Sequence, residues 1–412
     1  MNPRWFKTAL INLLLAASMG TLLRFAFVEE VAWMKYKNIL HAHSHVAMLG
    51  WVYLALYNLL LHAFLPPATL ERPLYRRLFW LTQLSVAGMF VSFPIQGYAG
   101  FSIAFSTLHV LVSYVFVWQF WRDLNRGDEK AAFSALLAKT ALAFMVVSTI
   151  SLWLLGPIIM TDLKRTALYY MCVQFFLHFQ FNGWFLLGVL ALFFKRFEGH
   201  GIHFNRNSQR LFYGLVMVST LSTYALAVAW SNPKPIVFWV NSIGVLVQLA
   251  AIIVLVALYR PHARQISALL APWEKGLFVL AAAGLLLKVA VQTAVAIPQI
   301  ATIAYTIRNY VIGFIHLVLL GVISCYILAQ AVEKGMVPVR RSLARAGIVF
   351  FVAGFLLSEL LLFLQGTLLW AQIGFMPWYY ELLFGASLLI PFGVLLLLFI
   401  RAEKRQDQVQ FF

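Results

Sequence analysis

Twelve separate stretches of about 20 or more mostly apolar residues run through this chain, and no other feature constrains its fold as tightly. A helix of that length spans the hydrocarbon of a bilayer and satisfies its own backbone hydrogen bonds there. The stretches cover residues 8–27, 39–64, 75–96, 101–121, 131–157, 167–194, 208–230, 235–259, 273–297, 307–331, 342–366 and 377–400. The expected class is all-α: a polytopic membrane protein of about 12 transmembrane helices, with residues 1–412 forming a single transmembrane domain. Composition agrees, because 62% of residues are hydrophobic and only 11% are charged, less than half the usual charged share of about 25%. Arg4 and Lys7 precede the first stretch as in a signal peptide. That stretch has no small-residue cleavage site and runs into Arg24 and Phe25, so it reads as a retained helix.

A net charge of +17 raises the question of nucleic acid. Its distribution argues against that partner. The two termini and the links after stretches 2, 4, 6, 8 and 10 hold 22 of the 31 Lys and Arg residues, and the opposite links and their surroundings hold 7. Basic residues concentrate on the cytoplasmic side of membrane proteins, so both termini are expected there, against anionic lipid headgroups. No soluble domain, phosphate loop, flavin or nicotinamide fingerprint is present, and no internal repeat is evident. Cys172 and Cys325 fall inside apolar stretches and read as small core residues.

With the amino terminus inside, every even-numbered stretch runs from outside to inside. Four of them place histidine in their outer halves. Stretch 2 carries His41, His43 and His45, stretch 4 His109, stretch 6 His178 and stretch 10 His316. At about 1.5 Å per residue, the last three lie roughly 12–17 Å below the outer surface and His45 about 9 Å below it. The other histidines, His62, His200, His203 and His262, fall near the inner end, and odd-numbered stretches have none. Imidazole is costly in hydrocarbon, so histidines gathered at one depth point to heme or copper ligands. A satisfied bond between helices explains any one of them equally well.

Local patterns fit a lined cavity. His41 and His45 share a face at i, i+4, while His43 points elsewhere. His41, His45 and His316 are the heme-ligand candidates, and His43, His109 and His178 the metal-ligand candidates. Tyr170, Gln174, His178 and Asn182 recur every four residues, as do Asn309, Gly313 and His316 approximately, and Ser102, Ser106 and His109. Lys288 and Glu359 are ionisable residues deep in stretches 9 and 11. They read either as a proton path, together with Tyr170 and Gln174, or as a structural ion pair, or as a lysine held neutral.

Twelve helices with outer-half histidines on stretches 2, 6 and 10 resemble subunit I of the heme–copper oxidase superfamily, which includes terminal oxidases and nitric oxide reductases. That resemblance implies His41 or His45 as the helix 2 heme ligand, His316 as a helix 10 heme ligand and His178 as the helix 6 copper ligand. The texture of HAHSHVAMLGW is similar to C-family oxidases, although there it belongs to helix 10. Stretch 7 (SQRLFYGLVMVSTLSTYALAVAW) lacks the family's histidine pair, stretch 10 has one histidine rather than two, and His109 has no counterpart. HAHSH also resembles the WHAHE-like segment of the NnrS family, twelve-helix heme- and copper-containing membrane proteins linked to nitric oxide stress. These resemblances imply a b-type heme, copper or both, in the bacterial inner (cytoplasmic) membrane. They imply electron transfer or oxygen or nitric oxide chemistry, fed by a quinol or a periplasmic carrier. The rival expectation is a cofactor-free secondary transporter that moves protons through His, Lys and Glu.

Overall fold

The computed structural model describes residues 1–127, 132–164 and 166–402. Those residues are 84% helical and contain no strand. Twelve helices among them are long and apolar enough to cross a membrane, so the chain is a multi-pass membrane protein in contact with the lipid bilayer. They are α1 (Pro3–Phe25), α2 (Tyr36–Phe64), α3 (Pro73–Gln96), α4 (Gly100–Arg126), α5 (Phe133–Ile159), α6 (Ala167–Glu198), α7 (Arg206–Ser231), α8 (Pro235–Leu269), α9 (Pro272–Ala294), α10 (Arg308–Glu333), α11 (Ser342–Trp370) and α12 (Tyr379–Leu398). Each predicted stretch falls on one of them; residue 131, where the fifth was expected to begin, lies outside the described residues. Pro occupies the first helical position of α1, α3 and α8, where its missing N–H costs nothing. The Asn2 side chain caps α1 by accepting from the N–H groups of Arg4 and Trp5.

The chain forms two compact units. The first comprises Met1–Phe120, Ala271–Leu280 and the chain from Ser324 onward, and the second comprises Trp121–Leu270 and Ala281–Ile323. In the first, α11 and α12 meet backbone to backbone. A Cβ at Gly393 would lie 2.6 Å from the Gly347 carbonyl oxygen, closer than any side chain allows. Gln365 then ties the α11–α12 link: its Nε2 donates to the Gly374 carbonyl and its Oε1 accepts from the Met376 N–H. In the second unit, α5 meets α6 at Gly183, where a Cβ would lie 2.6 Å from Phe144 Cβ. Gln180 Nε2 donates to Ser148 Oγ across the same contact.

Three helices are interior. The most apolar windows of α2, α6 and α10 are 83%, 72% and 67% buried, against 28–50% for the other nine. Each of these three also switches from α- to π-helix midway: at Val46–Val52, Phe179–Phe185 and Leu317–Ser324. The residue before each switch is a histidine: His45, His178 or His316. Five residues after that histidine stands a glycine, Gly50, Gly183 or Gly321, followed by Trp51 and Trp184 in the first two. The internal repeat that the sequence did not make evident is therefore a short one, His-x4-Gly, carried by a shared backbone feature.

Candidate functional site

In the first unit, His41 and His45 lie on α2 and face the end of α3. That end is made by Gly97, whose φ of 65° is unfavourable for any residue with a Cβ. The turn is pinned from two sides. Ser102 Oγ donates to the Gly97 carbonyl at 2.6 Å, and Asn38 Nδ2 donates to the Pro94 carbonyl at 3.2 Å. The next residue, Tyr98, is thereby held over the histidines. Its ring stands edge-on to His41 at 4.6 Å, and its hydroxyl lies 3.3 Å from His45 Nε2. Phe93 closes the other side, 4.4 Å from the His45 ring.

The tautomer of His45 follows from its partners. Nδ1 lies 2.8 Å from the His41 carbonyl, which can only accept, so Nδ1 carries the proton and Nε2 presents its lone pair. An imidazole fixed through one N–H to a carbonyl is the usual setting of a metal ligand. His43 is fixed similarly, with Nδ1 2.8 Å from the Ala16 carbonyl and its ring against Gly20 of α1. It points away from the His41–His45 face, as the spacing predicts.

His109 completes this group. It lies on α4 and is 4% exposed. Its Nε2 is buried and has no hydrogen-bond partner. The Tyr53 ring covers it edge-on at 4.7 Å. Along the same helix, Ser106 donates to Met89 Sδ at 3.2 Å, so Ser106 is turned to α3.

The second unit holds His178, His316, Lys288, Tyr170 and Gln174. His178 Nε2 lies 2.8 Å from the Thr220 carbonyl of α7, and Asn182 Nδ2 reaches both the His178 carbonyl and His178 Nδ1, at 3.3 and 3.5 Å. The Asn182 side-chain oxygen is left buried without a partner. Tyr170 meets the Trp230 ring edge-on at 5.0 Å. Gln174 and His316 are half-buried. Lys288 is 1% exposed, and its Nζ has no hydrogen-bond partner, so the lysine makes no ion pair. Glu359, which belongs to the first unit, is 7% exposed. Cys172 and Cys325 are buried and free.

Comparison of the chain with known protein families and with curated protein sequences gives no match. The chemistry is therefore read from the side chains alone. Among the described residues, no three His, Cys, Asp or Glu side chains converge on a point that could hold a metal ion. Sequence reasoning missed Phe93, Tyr98, Asn38 and the π segments. Tyr98 had a usable signal: three residues join α3 to α4, so whatever they carry must lie near the histidine-bearing end of α2.

Proposed function

We propose that this chain is a membrane heme- and/or copper-binding redox protein of the heme–copper oxidase subunit I or NnrS kind. It would act in electron transfer or in oxygen or nitric oxide chemistry. The observation that carries the reading is His109: a buried imidazole whose Nε2 has no hydrogen-bond partner. A buried ring nitrogen without a partner is unfavourable, and π segments persist where function holds them. His45 supports it, with Nδ1–H fixed and Nε2 presented beside Tyr98.

The donors fit the group. Axial ligation of heme iron needs only one or two imidazoles, so it suits this set better than a three-ligand copper centre does. His41, His45 and His109 are the residues that would hold the group in the first unit, and His178 and His316 in the second. When bound, it would supply one-electron chemistry and a site for a small gas. The chain's own contribution is to orient His45 and His178 through backbone carbonyls, while Phe93 and Tyr53 pack against the His45 and His109 rings. The proposed setting is a bacterial inner membrane with both termini cytoplasmic and a quinol or periplasmic carrier as donor.

A second reading, proton-coupled transport without a cofactor, is favoured by one observation: the buried and unpartnered ammonium-bearing side chain of Lys288. The visible spectrum and metal content of the protein purified in detergent decide between them. A Soret band or stoichiometric copper is expected. Absence of both, after expression with added hemin and copper, overturns the redox reading.

A further inference from the structure

The first unit holds a concavity away from His41, His45 and His109. It encloses about 390 Å³ where α2 ends and α3 begins, a size typical of small-ligand sites. Asn2, Trp5, His62, Glu71, Arg72 and Arg76 line it, with Pro67, Leu70 and Pro73. Two kinds of polar group line it. Arg72 and Arg76 offer guanidinium N–H groups, which suit phosphate oxygens. Glu71 offers acceptors only, and His62 has Nδ1 turned back onto the Asn58 carbonyl at 2.8 Å, leaving Nε2 as an acceptor. The first turn of α3 adds backbone N–H groups with no side-chain cap.

The apolar surroundings say what kind of molecule enters. Arg76 heads a stripe down one face of α3, formed by Trp80, Leu84, Val91 and Ile95, which are 47%, 54%, 57% and 71% exposed. Within a membrane such a stripe lies against acyl chains. A polar pocket where an apolar span begins, continuous with an acyl-facing stripe, fits an amphiphile better than a soluble anion.

We infer that this cavity binds a glycerophospholipid headgroup whose terminus carries hydrogen-bond donors. The phosphate sits on Arg76 and Arg72 and the α3 amino-terminal N–H groups. A terminal ammonium or hydroxyl donates to Glu71 and His62 Nε2, and the acyl chains follow Trp80, Leu84 and Val91. A headgroup ending in a quaternary amine has no N–H to donate and is the weaker ligand.

The test is lipid retention. The full chain is reconstituted in nanodiscs containing phosphatidylethanolamine, phosphatidylglycerol or phosphatidylcholine, then delipidated stepwise, and bound lipid is counted by native mass spectrometry. Wild type is expected to keep the first two about tenfold better than the third, the worth of one charge-assisted hydrogen bond. Arg76→Gln, which keeps most of the side-chain volume, should lose about tenfold, while Arg77→Ala, which removes a neighbouring charge that does not line the cavity, should retain wild-type binding. Equal loss in both variants, or equal retention of all three lipids, overturns the inference. Displacement of the lipid by millimolar inorganic phosphate would assign the cavity to a soluble anion and overturn it too. Melting temperature measured alongside separates lost binding from lost fold.

Discussion

The two halves of α2, α6 and α10 differ sharply. Before the π segment, buried residues are few: Ile39 and Ala42 in α2, Cys172 in α6 and Gly313 in α10. After it, burial is nearly continuous, as in Tyr53–Leu61 and Leu187–Ala191. The halves thus do different work. One supplies the close packing that holds each unit together, and the other keeps polar side chains in a loosely covered setting where they can meet a ligand. Stability should track changes in the packed half, and chemistry changes in the histidine-bearing half.

The largest effect expected is at the end of the α6 π segment, where the packed half begins. Trp184 is fully buried, and Trp184→Ala should cost about 3–5 kcal/mol, read as a large fall in melting temperature. Gly183→Ala comes next, at about 1–3 kcal/mol, because the added methyl would overlap Phe144. His45→Ala, on the open side of the contrast, should cost under about 1 kcal/mol, and His109→Ala, at a buried site on α4, about 1–3 kcal/mol. They should nevertheless change or abolish the visible spectrum or metal content of the loaded protein. If His45→Ala destabilises as much as Trp184→Ala, the division of labour is broken. Tyr98→Phe is the smallest, about 0.5 kcal/mol or less for one long hydrogen bond, with a slight spectral shift and unchanged folding.

The twelve crossings were legible because hydropathy over some 20 residues reports bilayer thickness directly. The outward placement of His43 was legible too, since i, i+2 residues cannot share a helical face. Two things were not. The Tyr170–Gln174–His178–Asn182 stripe assumes an unbroken α-period, yet the helix turns π after His178. The register holds between His178 and Asn182, which touch, but periodicity alone has no way to register an extra residue within a turn. The closure of Tyr98 over His41 and His45 was equally hidden, because it rests on one φ at Gly97 and on the Asn38 and Ser102 bonds. The repeated His-x4-Gly spacing was visible in the letters, and only the backbone gives it meaning.

That spacing has a mechanical consequence. A π segment holds more residues per turn than an α-helix, so it offsets the angular phase of everything on one side of it from everything on the other. One residue corresponds to about 100° of rotation in an α-helix. Winding Val46–Val52 back into an ordinary α-helix, with every residue kept, would alter no histidine. It would swing His41 and His45 about 100° around the helix axis relative to Trp51, off the face they share with Tyr98 and Phe93. Each of the three interior helices thus behaves like a shaft with an indexed collar, and its histidine faces its neighbours only while the collar keeps its wider turn.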